Sequence, residues 1–265
     1  MKSKLTLPGR LFLILIFAIL YAPILYLVYY SFNSGGTMFH FQHFTLEWYK
    51  ALFQDTRLLI IVVNTLVVAL LSALIATIVG VFGALALHQM KKRRKNTFLS
   101  LNNILIVSPD VIIGASFLIL FTMVSLKLGF YSVLLSHVAF SIPIVVLMVL
   151  PKLGEMKPSL IDAARDLGAS QWHVLSRVIL PFIAPGIFAG FFMALTYSLD
   201  DFAVTFFVTG NGFSTLSVEI YSMARQGVSL TINALSSVLF LLTMLVVAIY
   251  FSANGRKKIR VGVRK

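Results

Sequence analysis

The chain has 265 residues, 59% of them hydrophobic and only 12% charged, with a mean hydropathy of +0.95. Soluble domains carry about 25% charged residues, so this composition excludes an ordinary water-soluble fold and requires lipid to solvate much of the surface. The net charge of +13 comes from basic residues set in short blocks between apolar runs, a pattern of membrane topology rather than of nucleic-acid binding. The absence of cysteine excludes disulfides and thiolate metal sites.

A helix needs about 20 apolar residues to cross the hydrocarbon. Six stretches meet this, at about 11–31, 59–88, 99–126, 131–150, 183–208 and 233–253. The first run, Leu11 to Tyr30, exceeds the roughly 7–15 residues of a secretion-signal core and reads as a retained span. The third is interrupted by Ser108-Pro109-Asp110. The expected fold is all-α: a polytopic transmembrane bundle of six spans over 11–253, with a tail at 1–10 and a basic tail at 254–265.

Lysine and arginine set the orientation. The N-terminal tail, the block Lys91–Lys95, the loop 152–181 and the C-terminal tail hold 18 of them, against four (Lys50, Arg57, Lys127, Arg225) on the opposite side. This split puts both termini and the 152–181 loop of a multi-pass membrane protein in the cytoplasm. The external 32–58 segment, with Trp48 and Tyr49, is expected along the membrane interface, and Thr215–Arg225 as a short surface helix. Ala76, Gly80 and Ala84, and likewise Gly186, Gly190 and Ala194, recur at four-residue spacing and mark close helix packing, either between subunits or within the chain.

The 152–181 loop is a helical hairpin by its local signals. Ser159 with Asp162 three residues on has the form of a capping box, and Pro158 helps fix the start. Gly168 ends the first helix, Ser170 caps the second, and Pro181 closes it before span five. Leu160, Ala163, Ala164 and Leu167 share one face, which needs a surface to bury against.

This loop resembles the EAA loop of ABC-importer permeases: Glu-Ala-Ala, three residues, Gly, nine residues, then Ile-x-Leu-Pro. Here Asp162-Ala163-Ala164 is followed by Gly168 and then by Val178-Ile179-Leu180-Pro181 at the same spacing. Asp162 and Val178 are conservative departures. The resemblance implies a type I importer permease fold in which the hairpin docks on an ATPase subunit. It implies as partners an ABC ATPase dimer, a second, homologous permease and an external substrate-binding protein. The run Tyr197–Phe202 followed by Thr205–Gly210 is similar to the second permease subunit of spermidine/putrescine importers. Permeases for iron, thiamine or other small solutes share parts of it.

Intramembrane carboxylates are costly, about 2.5–3.5 kcal/mol each on insertion scales, so Asp110, Asp200 and Asp201 are functional candidates. Asp200 lies roughly 25 Å from the cytoplasmic end of span five at ~1.5 Å per residue. Successive helical residues diverge by about 100°, so the two neighbouring acids point differently; resemblance favours Asp201 for the pathway. Spaced anions and aromatic faces suit an elongated polyamine cation, which makes Asp110, Tyr197, Asp200, Asp201 and Phe202 the candidate pathway residues. The alternative is that the acids only shape helix packing. Glu219 reads either as a binding-protein contact or, more plainly, as an ordinary surface carboxylate.

Histidines 40, 43, 88, 137 and 173 show no metal-ligand spacing. No phosphate-binding Gly-x-x-x-x-Gly-Lys-Ser/Thr loop occurs, so the chain is expected to be a non-catalytic subunit without a cofactor of its own, ATP and Mg²⁺ being bound by the partner ATPase. A secondary transporter would need inverted repeats with discontinuous helices, which the sequence lacks. A membrane enzyme would need a paired catalytic cluster, which it also lacks.

Overall fold

A computed structural model describes residues 7–226 and 230–245. The regular structure among the described residues is helical, with a single isolated β-bridge between Asn33 and Phe44. The helices are α1 (Leu7–Tyr30), α2 (Glu47–Gln54), α3 (Thr56–Gln89), α4 (Lys92–Val107), α5 (Asp110–Met123), α6 (Phe130–Glu155), α7 (Pro158–Asp166), α8 (Gln171–Val174), α9 (Leu180–Asp200), α10 (Ala203–Val208), α11 (Leu216–Gln226) and α12 (Leu230–Leu245).

Among the described residues, four helical segments are long and apolar enough to cross a membrane: α1, α3, α6 and the run Gln171–Asp200. A fifth follows if α4 and α5 together make one span. α12 covers the start of the sixth apolar stretch, and 246–253 lie outside the described residues. The basic tail at 254–265 lies outside them too.

Two of the expected spans are broken. In the third, α4 and α5 meet at 103°. Ser108 precedes Pro109 and is held extended (φ −68°, ψ 139°), as the proline ring demands, so Asp110 becomes the first residue of a new helix. In the fifth, α9 stops at Asp200 and Asp201 is extended (φ −62°, ψ 119°). The helical angle expected between Asp200 and Asp201 therefore does not apply.

The chain divides by internal contacts into one unit formed by the described parts of 1–59 and 220–265, and another of residues 60–219. In the second unit α6 is the central element, packed along α9 and against α4 and α10. One apolar cluster gathers Ala73, Val81, Val145, Val149, Leu153 and Ile183; a second gathers Val68, Ile113, Phe121, Val133, Phe140 and Val204.

The small-residue stripes are close contacts within this unit. A Cβ on Gly80 would lie 2.7 Å from the Val145 side chain, and one on Gly186 2.9 Å from the Met148 carbonyl oxygen. One on Gly190 would lie 3.2 Å from the Val145 Cα. α3 and α9 thus both close on the Val145 region of α6. Gly80→Ala is expected to destabilise the detergent-solubilised protein by about 1–3 kcal/mol through overpacking. Gly83→Ala, with 3.6 Å of clearance to Val146, should be neutral or stabilising, since alanine is the better helix former. Thermal unfolding of the two variants checks the contrast.

Candidate functional site

Two places carry the chemistry: the break between α9 and α10, and the hairpin α7–α8. At the break, Asp201 folds back over the start of α10. Its Oδ1 accepts the Val204 N–H at 3.3 Å, and its Oδ2 accepts the Thr205 N–H at 2.8 Å and the Thr205 hydroxyl at 2.7 Å. A carboxylate satisfying the free amides of a helix's first turn is a capping arrangement.

His137 of α6 completes the set. Its Nε2 lies 2.8 Å from Thr205 Oγ1 and 3.5 Å from Asp201 Oδ2, and its Nδ1 lies 2.6 Å from Ser198 Oγ. Ser72 of α3 donates to Ser198 Oγ at 3.0 Å. Because the Thr205 hydroxyl donates to Asp201, it accepts from Nε2–H. In the neutral ring Nδ1 then accepts from Ser198. A directional chain, Ser72 to Ser198 to His137 to Thr205 to Asp201, ties four helices together. All five residues are buried. His137→Ala would take the acceptor from the Ser198 hydroxyl and the donor from Thr205 Oγ1 in a buried interior, where a group left unsatisfied costs about 1–3 kcal/mol. The expected result is a clear fall in unfolding temperature, partly rescued by His137→Gln.

The other pathway candidates lie outside this network. Asp110, at the start of α5, is exposed and accepts the Tyr197 hydroxyl at 3.0 Å. The Tyr197 ring meets Phe140 edge-on at 5.2 Å, and Phe140 packs on His137 at 4.9 Å. Asp200 is exposed one turn beyond Tyr197, on the same side of α9 by its three-residue spacing. Asp110, Tyr197 and Asp200 thus form an exposed acid–aromatic set. Asp201 turns inward, and Phe202 packs on Phe206. Gly114 lets α10 approach α5: a Cβ there would sit 2.8 Å from the Phe207 ring.

Ser72, His137, Ser198 and Thr205 were not singled out as site residues from sequence. The available signal was the cost of an imidazole inside an apolar span; a search for metal spacing does not detect it. Glu219 is buried, which removes the reading of an ordinary surface carboxylate.

The hairpin forms with two corrections to its ends. Pro158 takes the first helical position of α7, so Lys157 is the N-cap and Ser159 makes no capping bond; proline's fixed φ suits that first position. Gly168 has φ +78° and ends α7, and Ser170 caps α8 through the His173 N–H. Pro181 does not close the second helix. A π-turn over Leu175–Ile179, with Leu180 N–H bonded to Leu175 O, carries α8 into α9. The widened turn accommodates a proline that has no N–H to give.

Asp162, Ala163, Leu160 and Leu167 are exposed, Leu167 at 89%, and Ala164 is half-buried. Leu180 packs on the core, and Pro181 is exposed. A cavity of about 840 Å³ lies between the hairpin (Ile161, Asp162, Arg165, Trp172) and the ends of α3 and α6 (Gln89, Met156). Among the described residues no cluster of histidine, aspartate or glutamate is arranged to hold a metal.

The described residues thus make a bundle of apolar helices, two of its expected spans broken, with an exposed helical hairpin leading into α9, the architecture of a membrane permease subunit. The chain belongs to the family of binding-protein-dependent transport system inner membrane components, whose model matches residues 76–257. It is a non-catalytic membrane subunit, and the family depends on a separate binding protein.

The chain is 38% identical over 243 residues to the spermidine/putrescine transport system permease protein PotC of Escherichia coli K12, covering 90% of this chain and 92% of that one. It is 34% identical over 261 residues to the putrescine transport system permease protein PotI of the same strain, covering 95% and 93%. Its fold matches a chain of a bacterial ABC transporter involved in the import of the acidic polysaccharide alginate, with a TM-score of 0.72 at 19% identity over 95% of both chains. It also matches a chain of the MetNI methionine ABC transporter, with a TM-score of 0.61 at 20% identity, covering 78% of this chain and 99% of that one.

Proposed function

We propose that this chain forms half of the translocation pathway of an ATP-driven polyamine importer. The observation that carries the reading is the exposed set of Asp110, Tyr197 and Asp200, in a chain 38% identical to a spermidine/putrescine permease. Spaced carboxylates with an aromatic face offer an elongated dication or trication both anionic partners and cation–π contacts as it leaves water. Asp201 and Phe202 shape the same wall from behind, Asp201 by capping α10.

In this reading a second, homologous permease supplies the other half, and an extracytoplasmic binding protein delivers the amine. The hairpin around Asp162, Ala163, Ala164 and Gly168 docks on an ATPase subunit, which binds ATP and Mg²⁺. Closure of the ATPase dimer moves the hairpin as a lever. Its continuous join to α9 through the π-turn carries that motion to the end of α9, where Asp200 lies, and opens the pathway outward. In this reading both termini face the cytoplasm of a bacterial inner membrane, supported by the excess of basic residues on that side.

An energy-source experiment separates this mechanism from a proton-driven carrier. Uptake of labelled spermidine by cells expressing the chain should stop on ATP depletion and continue when the proton gradient is collapsed with ATP maintained. Uptake that follows the gradient instead would overturn the proposed mechanism.

A further inference from the structure

The segment between α1 and α2 is a closed loop rather than a loose connection. Asn33, fully buried, holds it from inside. Its Nδ2 donates to the carbonyls of Thr37 and His40, both at 2.8 Å, and its Oδ1 accepts the N–H groups of Gly35 and Gln42 at 3.2 and 2.8 Å. Trp48 Nε1 donates to the Asn33 carbonyl at 2.8 Å. Ser34 N–H bonds His43 O and Thr45 N–H bonds Phe32 O, closing the neck.

The loop also turns back along α1. Tyr26 donates its hydroxyl to Met38 O at 2.7 Å, and Tyr29 packs on Phe41 at 4.8 Å. Tyr26 lies four residues before the end of α1, about 6 Å down the helix axis at 1.5 Å per residue. The loop's tip is therefore held at a depth that belongs to the spanning helix, below the level at which the chain leaves it.

Three properties fit that depth. From Leu11 to Leu46 there is no Asp, Glu, Lys or Arg. The loop's inward-facing backbone groups are met by Asn33, the condition for irregular backbone near hydrocarbon. Its exposed side chains mix the polar Thr37, His40, Gln42 and His43 with Phe39, Phe41 and Phe44; Phe39 at 85% and Phe44 at 67% are the most open of the aromatics, and Phe41 continues into Tyr29 and Tyr30, residues of the kind that gather at the membrane interface, where apolar and polar groups meet. An aqueous docking loop for a binding protein has no need of a folded-back tip or an uncharged sequence.

We infer that residues 33–46 form an interfacial membrane anchor whose tip inserts Phe39 among the lipids of the leaflet where α1 ends. The clasp at Asn33 removes the polar backbone from contact with lipid, and Phe39 adds apolar contact at the acyl–headgroup boundary. The inference rests on α1 spanning the bilayer and is independent of which solute is carried.

The test exploits the cysteine-free sequence. A nitroxide on Phe39→Cys, in the complete transporter reconstituted in phosphatidylethanolamine/phosphatidylglycerol vesicles, reports collision with oxygen and with a water-soluble nickel chelate. Oxygen collision exceeding that of nickel is expected. Greater nickel collision would mean that the tip is in water, and protection from both would mean that protein covers it; either overturns the inference. In the same label, Asn33→Ala should raise spin mobility and shift collision toward nickel, and an unchanged signal would contradict the role given to the clasp.

Discussion

Replacing Leu160 and Leu167 together with glutamate is expected to uncouple the transporter, with uptake falling to background while the chain remains in the membrane. Both leucines stand exposed on the hairpin, Leu167 at 89%, beside the alanines that keep this face smooth. Burying a leucine against a partner contributes about 1.5–3 kcal/mol. Losing two, and forcing two carboxylates into the same contact, removes upward of ~4 kcal/mol, about a thousandfold in affinity. Co-purification of the ATPase checks this directly: the variant should lose it. Retention of the ATPase with normal uptake would show that this face is not the docking surface.

The second large effect separates the acids. Asp110→Asn with Asp200→Asn is expected to lower polyamine uptake at least tenfold with little change in unfolding temperature. Both groups are exposed, and opposite charges about 4 Å apart near a protein surface interact by up to about 4 kcal/mol. Asp201→Asn should behave differently. Its carboxylate accepts three bonds in the cap of α10, and an amide offers one oxygen where two are used. That variant should lose stability by about 1–3 kcal/mol, and its uptake should fall in step with the amount of folded protein. Full uptake in the Asp110/Asp200 pair variant would remove these residues from the pathway.

The split among the acids marks the limit of what the sequence discloses. Run length located the apolar stretches, because lipid demands long apolar runs whatever the packing. The hairpin was legible for a local reason: Gly168 and Ser170 act on their own neighbours. Its ends were misread where two local rules competed. Pro158 outranked Ser159 at the start of α7, and a π-turn let Pro181 sit inside a continuing helix. Asp201 was legible as costly, but which groups repay that cost depends on His137, 64 positions away in the chain, and no local pattern encodes that pairing. The same holds for Gly80 and Gly190. Their spacing announces a close approach, and only the fold identifies Val145 as what is approached.

The central claim, that this chain is one of the two permease subunits of a polyamine importer, is tested most directly by uptake in cells lacking it. Labelled spermidine and putrescine would be offered to the deletion strain with and without the chain restored. The account predicts that the wild-type chain restores uptake of at least one of the two amines. Restoration of neither, with the chain present in the membrane and its ATPase bound, would contradict the substrate assignment and turn the search to the other small solutes carried by this family.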